Sequence, residues 1–116
     1  MDRDPGSILD IVLACHRLRR FVADRSLSEL QNDELLQFAV FHAIALIGEA
    51  ATRLSPEFRQ AHSEIPWRDI IGTRNRIIHG YEKVKLDIVW EIATVKAGQL
   101  LEQLEPLLPQ PPASNP

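Results

Sequence analysis

Residues 32–54 read NDELLQFAVFHAIALIGEAATRL. Asn32 or Asp33 is suited to cap a helix N-terminus, and a helix is expected from there to about Leu54. Its apolar residues cover most of its circumference: Leu35, Leu36, Phe38, Ala39, Phe41, Ile44, Ala45, Leu46, Ile47 and Ala50. A helix apolar nearly all round sits at the centre of a bundle or is buried against a second chain. The small residues Ala39, Ala43, Ala45, Gly48, Ala50 and Ala51 would let another helix come close. The richest run, Phe38 to Leu46, is broken by His42 and followed by Glu49. It falls short of the ~18–20 unbroken apolar residues of a membrane span, so the stretch reads as a buried helix of a protein that does not enter a membrane.

Helical periodicity extends outward from this stretch in both directions. Upstream, Ile8, Ile11, Val12, Cys15, Leu18, Phe21 and Val22 recur at spacings of three and four. They predict a helix from Ser7, as a possible N-cap, to Ala23, with Arg17, Arg19, Arg20 and Arg25 on its solvated faces. Ser26 to Asn32 reads as a polar connection with cap candidates. Downstream, Ser55-Pro56 is an N-cap followed by proline at the first helical position, predicting a short helix through Phe58 to Ala61. Pro66-Trp67 opens a helix to about Ile78, with Gly80 as its stop. Asp87 is the expected N-cap of a last helix through Ile88, Val89, Ile92, Val95, Leu100, Leu101 and Leu104. No strand alternation and no internal repeat is found. The expected fold is all-α: an antiparallel bundle of four long helices plus a short one. It is one domain over residues 1–107, followed at 108–116 by a proline-rich flexible tail.

At 116 residues the chain is one domain's worth, too small for separate cofactor and substrate modules. So small a core leaves room for added burial by dimerisation. The net charge of −3 disfavours holding nucleic acid by bulk positive charge. Cys15 is the one cysteine, so neither an internal disulfide nor a zinc cluster is available. The start, MDRDPGS, is acidic and lacks the basic and apolar regions of a signal peptide, so a cytoplasmic protein is expected.

Few residues can carry chemistry. His42 lies in the apolar helix and reads as a hydrogen-bonded core histidine, whereas His16 and His62 read as surface residues. No zinc-spaced set, phosphate-cradling glycine loop or paired carboxylate occurs, so no metal or cofactor is expected. Trp67 and Trp90 read as packing residues. What stands out is WRDIIGTRNRIIHGY, residues 67–81. Arg74 and His79 are five positions apart, which on a continuous helix sets them about 140° apart. They converge only if the helix ends near Ile78 and His79 turns back, which Gly80 would permit. An arginine fork suits phosphate oxygens and charge building up on them, and a histidine moves protons near neutral pH. RNA brings its own nucleophile, the 2′-hydroxyl. Asn75 could orient His79 or hold the ribose. From Arg68 to Lys85 five basic residues face two acids, so this stretch carries +3 and the remainder −6. The plainer alternative is a helix end whose arginine neutralises carbonyls and the helix dipole, and whose Tyr81 is an interfacial phenol.

At these residues the chain resembles the HEPN superfamily, and more closely its HepT-like branch, which carries Arg-x4-His-x-Tyr. Arg74, His79 and Tyr81 fit that pattern without departure, with the usual polar residue, Asn75, after the arginine. The flanking Phe41-His42-Ala43-Ile44 through Ile47-Gly48-Glu49-Ala50, Pro66-Trp67 and Val89-Trp90-Glu91-Ile92 match as well, and the likeness spans roughly Ile8 to Leu107. The resemblance implies a metal-independent endoribonuclease acting as the toxin of a toxin–antitoxin pair. It implies a homodimer in which two motifs form one composite site, with Arg74 and His79 catalytic and Asn75 supporting. It also implies a nucleotidyltransferase antitoxin of the MNT type that transfers AMP from ATP to Tyr81. Two other readings share the fold: a non-catalytic scaffold that binds nucleotides or a partner, and a helical dimer with no site.

Overall fold

The computed structural model describes residues 3–109, and every described element is helical. Four long helical stretches carry the core: α1 (Asp4–Val22), α3 (Glu34–Thr52), α5 (Trp67–Gly80) and a last stretch from Leu86 to Leu104. Two short helices, α2 (Leu27–Asn32) and α4 (Pro56–Ala61), fill the connections. The last stretch is α6 (Leu86–Glu91), a π-helical segment (Ile92–Lys96) and α7 (Ala97–Leu104). Neighbouring long helices run antiparallel. Asp4 meets Ser55 and Asp10 meets Arg53 across α1 and α3, Arg74 meets Glu49 and Tyr81 meets Phe38 across α3 and α5, and His16 meets Glu105 beyond the end of α7.

The helix starts follow capping chemistry, because the first backbone N–H groups of a helix need acceptors. Asp33 accepts from the N–H of Leu36 at 3.1 Å and opens α3. Ser55 accepts from the N–H of Phe58 at 3.0 Å and opens α4, with Pro56 behind it. Both starts agree with the sequence reading. So do the end of α4 at Ala61 and the opening of α5 at Pro66-Trp67, while other boundaries depart from it. Residues 27–32 form a helix where a polar connection was expected, held by a capping box between Ser26 and Glu29 and by the burial of Leu30. The Gln37 amide donates to the carbonyls of Leu30 and Gln31 and so satisfies the far end of α2. Helix α1 begins at Asp4, and Ser7 is buried inside it rather than capping it. The Asp4 carboxylate accepts from the Ser55 N–H and hydroxyl at 2.8 and 2.7 Å, a bond across 51 residues that fixes this first turn.

The last stretch begins at Leu86 after an uncapped Lys85, with Asp87 in the first turn, where its charge suits the helix dipole, rather than at the cap. The π segment adds about one residue per turn, which shifts the phase of a helix. Val89 before the segment, Ala93 within it and Ala97, Leu100, Leu101 and Leu104 after it are all buried. Pro106 lies in a 3-10 turn (Glu105–Leu107), and Leu108 still packs against the core. The chain is therefore ordered beyond Pro106, and most of the expected flexible tail, 110–116, lies outside the described residues.

Helix α3 is long and apolar enough, at 19 residues and mean hydropathy 1.5, to cross a membrane by length and composition alone. Here Val40, Phe41, Ala43, Ile44, Ile47, Ala50 and Ala51 are buried in the core shared with α1 and α5. Its other side is open: Leu35, Phe38 and Leu46 are 81%, 44% and 37% exposed. His42 lies on this open side, which corrects its reading as a core histidine. The inward face is defined by positions 40, 41, 43, 44 and 47, and position 42 falls outside that arc.

Cys15 lies fully inside, and burial pushes its thiol up to about 12 against a weaker opposing pull from Arg19. A folded pKa above the unfolded one gives stability that is complete below the unfolded value. That stability is lost as pH rises through the folded value. Stability should therefore decline between about pH 9 and pH 12, with a smaller slope in Cys15→Ala. A thiol reagent at pH 8 should leave the native protein unmodified and label one thiol once denaturant is added.

A candidate active site on the fifth helix

Helix α5 is anchored at its start by Trp67, which is buried and donates its indole N–H to the His62 carbonyl at 3.0 Å. Ile77 is buried, and Ile70 and Ile71 pack against the core at its edge. Where α5 crosses α3, the residue beneath it is Gly48. A Cβ there would overlap the Arg74 Cβ, lie 2.8 Å from the Arg74 Cγ and 3.2 Å from the Ile70 carbonyl oxygen. The two backbones approach because position 48 has no side chain.

The stem of Arg74 is thus set against α3, and its head is held at both nitrogens. Nη2 donates to Glu49 Oε2 at 2.6 Å, and Nη1 donates to Asn75 Oδ1 at 2.8 Å. Nε is buried with no partner among the described residues. Glu49 Oε1 lies 3.6 Å from Arg53 Nη1, and Arg53 Nη2 lies 3.2 Å from Asp10 Oδ2. A chain of charges therefore runs from α1 through α3 to α5. Sequence reading gave Glu49 no role at the site, noting it only as the residue after the apolar run and within the matched Ile47-Gly48-Glu49-Ala50. The available signal was a glycine in mid-helix followed by an acid in an apolar run.

The helix does not end near Ile78. It runs to Gly80, whose φ of 178° is extended backbone rather than a left-handed stop, and a 3-10 turn (Tyr81–Lys83) follows. His79 is therefore in the last turn of α5 and does not fold back over Arg74. The two stay about 140° apart around the helix and about 7.5 Å along it. Asn75 serves Arg74 rather than orienting His79. His79 is exposed and makes no hydrogen bond or ion pair among the described residues. Tyr81 stacks edge-on against Phe38 at 5.2 Å and lies 6.0 Å from Phe41, ring centre to ring centre, with 45% of its surface exposed.

The remaining histidines are peripheral. His16 Nε2 lies 3.2 Å from Glu105, and the His62 ring sits 4.4 Å from that of Phe58. Among the described residues no group of three or more His, Cys, Asp or Glu is placed to hold a metal ion. A hollow of about 170 Å³ lies between α3, α5 and the last stretch, lined by Ile44, Ile47, Ile70, Ile92 and Leu100 among others. None of Arg74, His79 and Tyr81 lines it, so the motif stands on an open surface.

Residues 11–107 match the model of the family described as Ribonuclease HepT-like. The chain belongs to the HepT-like ribonuclease family. Membership makes it a ribonuclease of the HEPN kind, in agreement with the resemblance read from the motif. A protein of Caldanaerobacter subterraneus subsp. tengcongensis named "Putative RNase" is 34% identical over 107 residues, covering 91% of this chain and 96% of that one. A "Probable ribonuclease HepT" of Thermococcus cleftensis is 34% identical over 87 residues, covering 75% and 77%. A "Putative RNase" of Methanocaldococcus jannaschii is 28% identical over 104 residues, covering 89% and 95%. No solved structure matches the chain.

Two glycine replacements separate close approach from helix propensity. In mid-helix, alanine is better than glycine by about 1 kcal/mol. Gly72 has room, its nearest atom being the end of Arg76 at 3.8 Å, so Gly72→Ala should raise the unfolding temperature. Gly48→Ala should lower it, by about 1–3 kcal/mol of overpacking, in the same thermal-unfolding measurement.

Proposed function

We propose that this ribonuclease is the toxin of a toxin–antitoxin pair, acting on RNA in the cytoplasm without a metal through the residues of its Arg-x4-His-x-Tyr motif. Arg74 binds the scissile phosphate and stabilises the charge that builds up on its oxygens. His79 takes the proton of the 2′-hydroxyl or returns one to the leaving 5′-oxygen. The new bond joins the 2′-oxygen to phosphorus, and the bond to the 5′-oxygen breaks. Asn75 supports Arg74.

The observation that carries this reading is the fixed arginine on an open face, with an unpartnered histidine one and a half turns further along the same helix. Two groups so divided around one helix do not meet on one phosphate within a chain. A second copy supplies the missing half. The exposed apolar strip of Leu35, Phe38, Leu46, Ile78 and Tyr81 beside the motif supports burial there against a partner chain. A two-fold pairing would bring the same strip of both copies together.

Arg74→Ala and His79→Ala should each cut RNA cleavage by ~100-fold or more, on the scale of lost charge stabilisation or proton transfer, in variants that thermal unfolding shows to be folded. Mixing the two inactive variants after unfolding and refolding together should restore part of the cleavage, as complementary halves meet. Full cleavage by either variant alone rejects the assignment, and a mixture with no recovered cleavage rejects the composite site.

Tyr81 is the proposed target of a nucleotidyltransferase antitoxin. Its phenolic oxygen would attack the α-phosphorus of ATP, releasing pyrophosphate and a proton. Tyr81 opens the 3-10 turn that directly follows the helix carrying Arg74, and both residues contact α3. An AMP group there is anionic, and it would occupy the arginine and repel RNA. Intact-mass measurement after incubation with the antitoxin and ATP should show added AMP units on the native chain and none on Tyr81→Phe.

A further inference from the structure

We propose that Glu49 is a positioning residue for cleavage: it holds the Arg74 guanidinium in the orientation that meets the phosphate. This rests on the ribonuclease site proposed above and adds to it a residue outside the motif.

An arginine side chain is long, and an unrestrained one must be ordered when substrate arrives. Here it is fixed at both ends. The Cβ and Cγ lie against Gly48, and the head is clamped by Glu49 and Asn75. Of the clamp's two members, Asn75 is a neighbour on the same helix and moves with Arg74. Glu49 stands on another helix, between the buried Gly48 and Ala50, and so refers the guanidinium to the core. Its second oxygen faces Arg53, which is itself paired with Asp10 on α1. The carboxylate is thus held on both sides. A guanidinium has five N–H donors. With one from Nη2 on Glu49 and one from Nη1 on Asn75, each Nη keeps an uncommitted N–H for phosphate oxygens.

The charge of Glu49 makes the proposal testable. A carboxylate beside the phosphate site repels a polyanion, so it weakens ground-state RNA binding. If it orders Arg74, it must speed the chemical step. The two effects have opposite signs, and a residue that only supports the fold would not produce that split.

The test uses Glu49→Gln, Glu49→Asp and Glu49→Ala in the full chain. Single-turnover cleavage of RNA is measured beside the affinity for a non-cleavable 2′-O-methylated RNA of the same sequence. Misplacement of a catalytic group by about 1 Å costs up to 10²-fold in rate. Glu49→Ala and Glu49→Asp, which remove or shorten the contact, should lose roughly 10- to 100-fold in rate while affinity is unchanged or tighter. Glu49→Gln keeps the length and one acceptor oxygen and should recover part of that rate. Thermal unfolding shows which variants are folded, and the near-isosteric Glu49→Gln keeps the test alive if the others are not. Native rates in folded variants overturn the role of Glu49, as do rate and affinity falling together. Loss of cleavage in Arg74→Ala alongside those outcomes leaves the ribonuclease site standing. Intact cleavage in Arg74→Ala removes both.

Discussion

The contact between α3 and α5 at Gly48 sets the rest of the molecule. Close packing of two helices needs a small residue where the axes approach. At this crossing the neighbour is the stem of a long charged side chain. Once Arg74 lies over Gly48, the antiparallel course of α5 carries Tyr81 back to Phe41 and Phe38, about two and three turns away on α3. The same crossing decides what stays outside. Val40, Phe41, Ile44 and Ile47 are used up between helices, and Leu35, Phe38, His42 and Leu46 are left on the open side. A helix apolar nearly all round has two faces to bury, and one chain covers only one of them.

Much of this fold is legible in the sequence because the signals are local. The apolar spacing from Ile8 to Val22 and the caps at Asp33 and Ser55-Pro56 act within a turn or two of the residues they organise. The departures occur where distant parts of the chain intervene. Helix α1 starts early because Asp4 reaches Ser55, a partner that periodicity cannot see. Helix α2 is short, and its capping box is visible as Ser26 with Glu29, but six residues hold only with Leu30 buried and Gln37 closing the far end. The π segment answers a mismatch of phase between two halves of one helix, and no single residue announces it.

The site divides in the same way. Arginines and histidines are common in the chain, and what singles out Arg74, Asn75, His79 and Tyr81 is their joint pattern, which resembles Arg-x4-His-x-Tyr. Their arrangement depends on where the helix ends and on a neighbour 25 residues away. Gly80 does end the helix, as a glycine there suggests, but His79 before it stays in the last turn instead of folding back. Glu49 belongs by sequence to the apolar helix and by geometry to the motif. A residue that orders another is hard to read from spacing, since its effect passes through a contact that only the fold creates.

The charge balance then acquires a reason. The chain is acidic overall, and its basic excess gathers in two stretches, the one around the motif and the one from Arg17 to Arg25. Inside that stretch the arginine of the motif is paired with a carboxylate, which lowers its pull on a polyanion from a distance. On the proposed function, attraction to RNA at long range would come instead from the surrounding Arg68, Arg76, Lys83 and Lys85, all exposed. Binding and chemistry are thereby divided between residues. On the proposed function, the exposed cations would gather the strand and the clamped one would meet the phosphate. Such a division suits a site built from two copies, because each copy brings its own collecting surface. The rigid groups need to be placed only once, by the packing of α5 on α3. A single helix that presents its arginine to one side and its histidine to another is a poor design for a closed pocket. It would suit the proposed two-fold pairing, in which the unused side of one copy would become the opposite wall of the other.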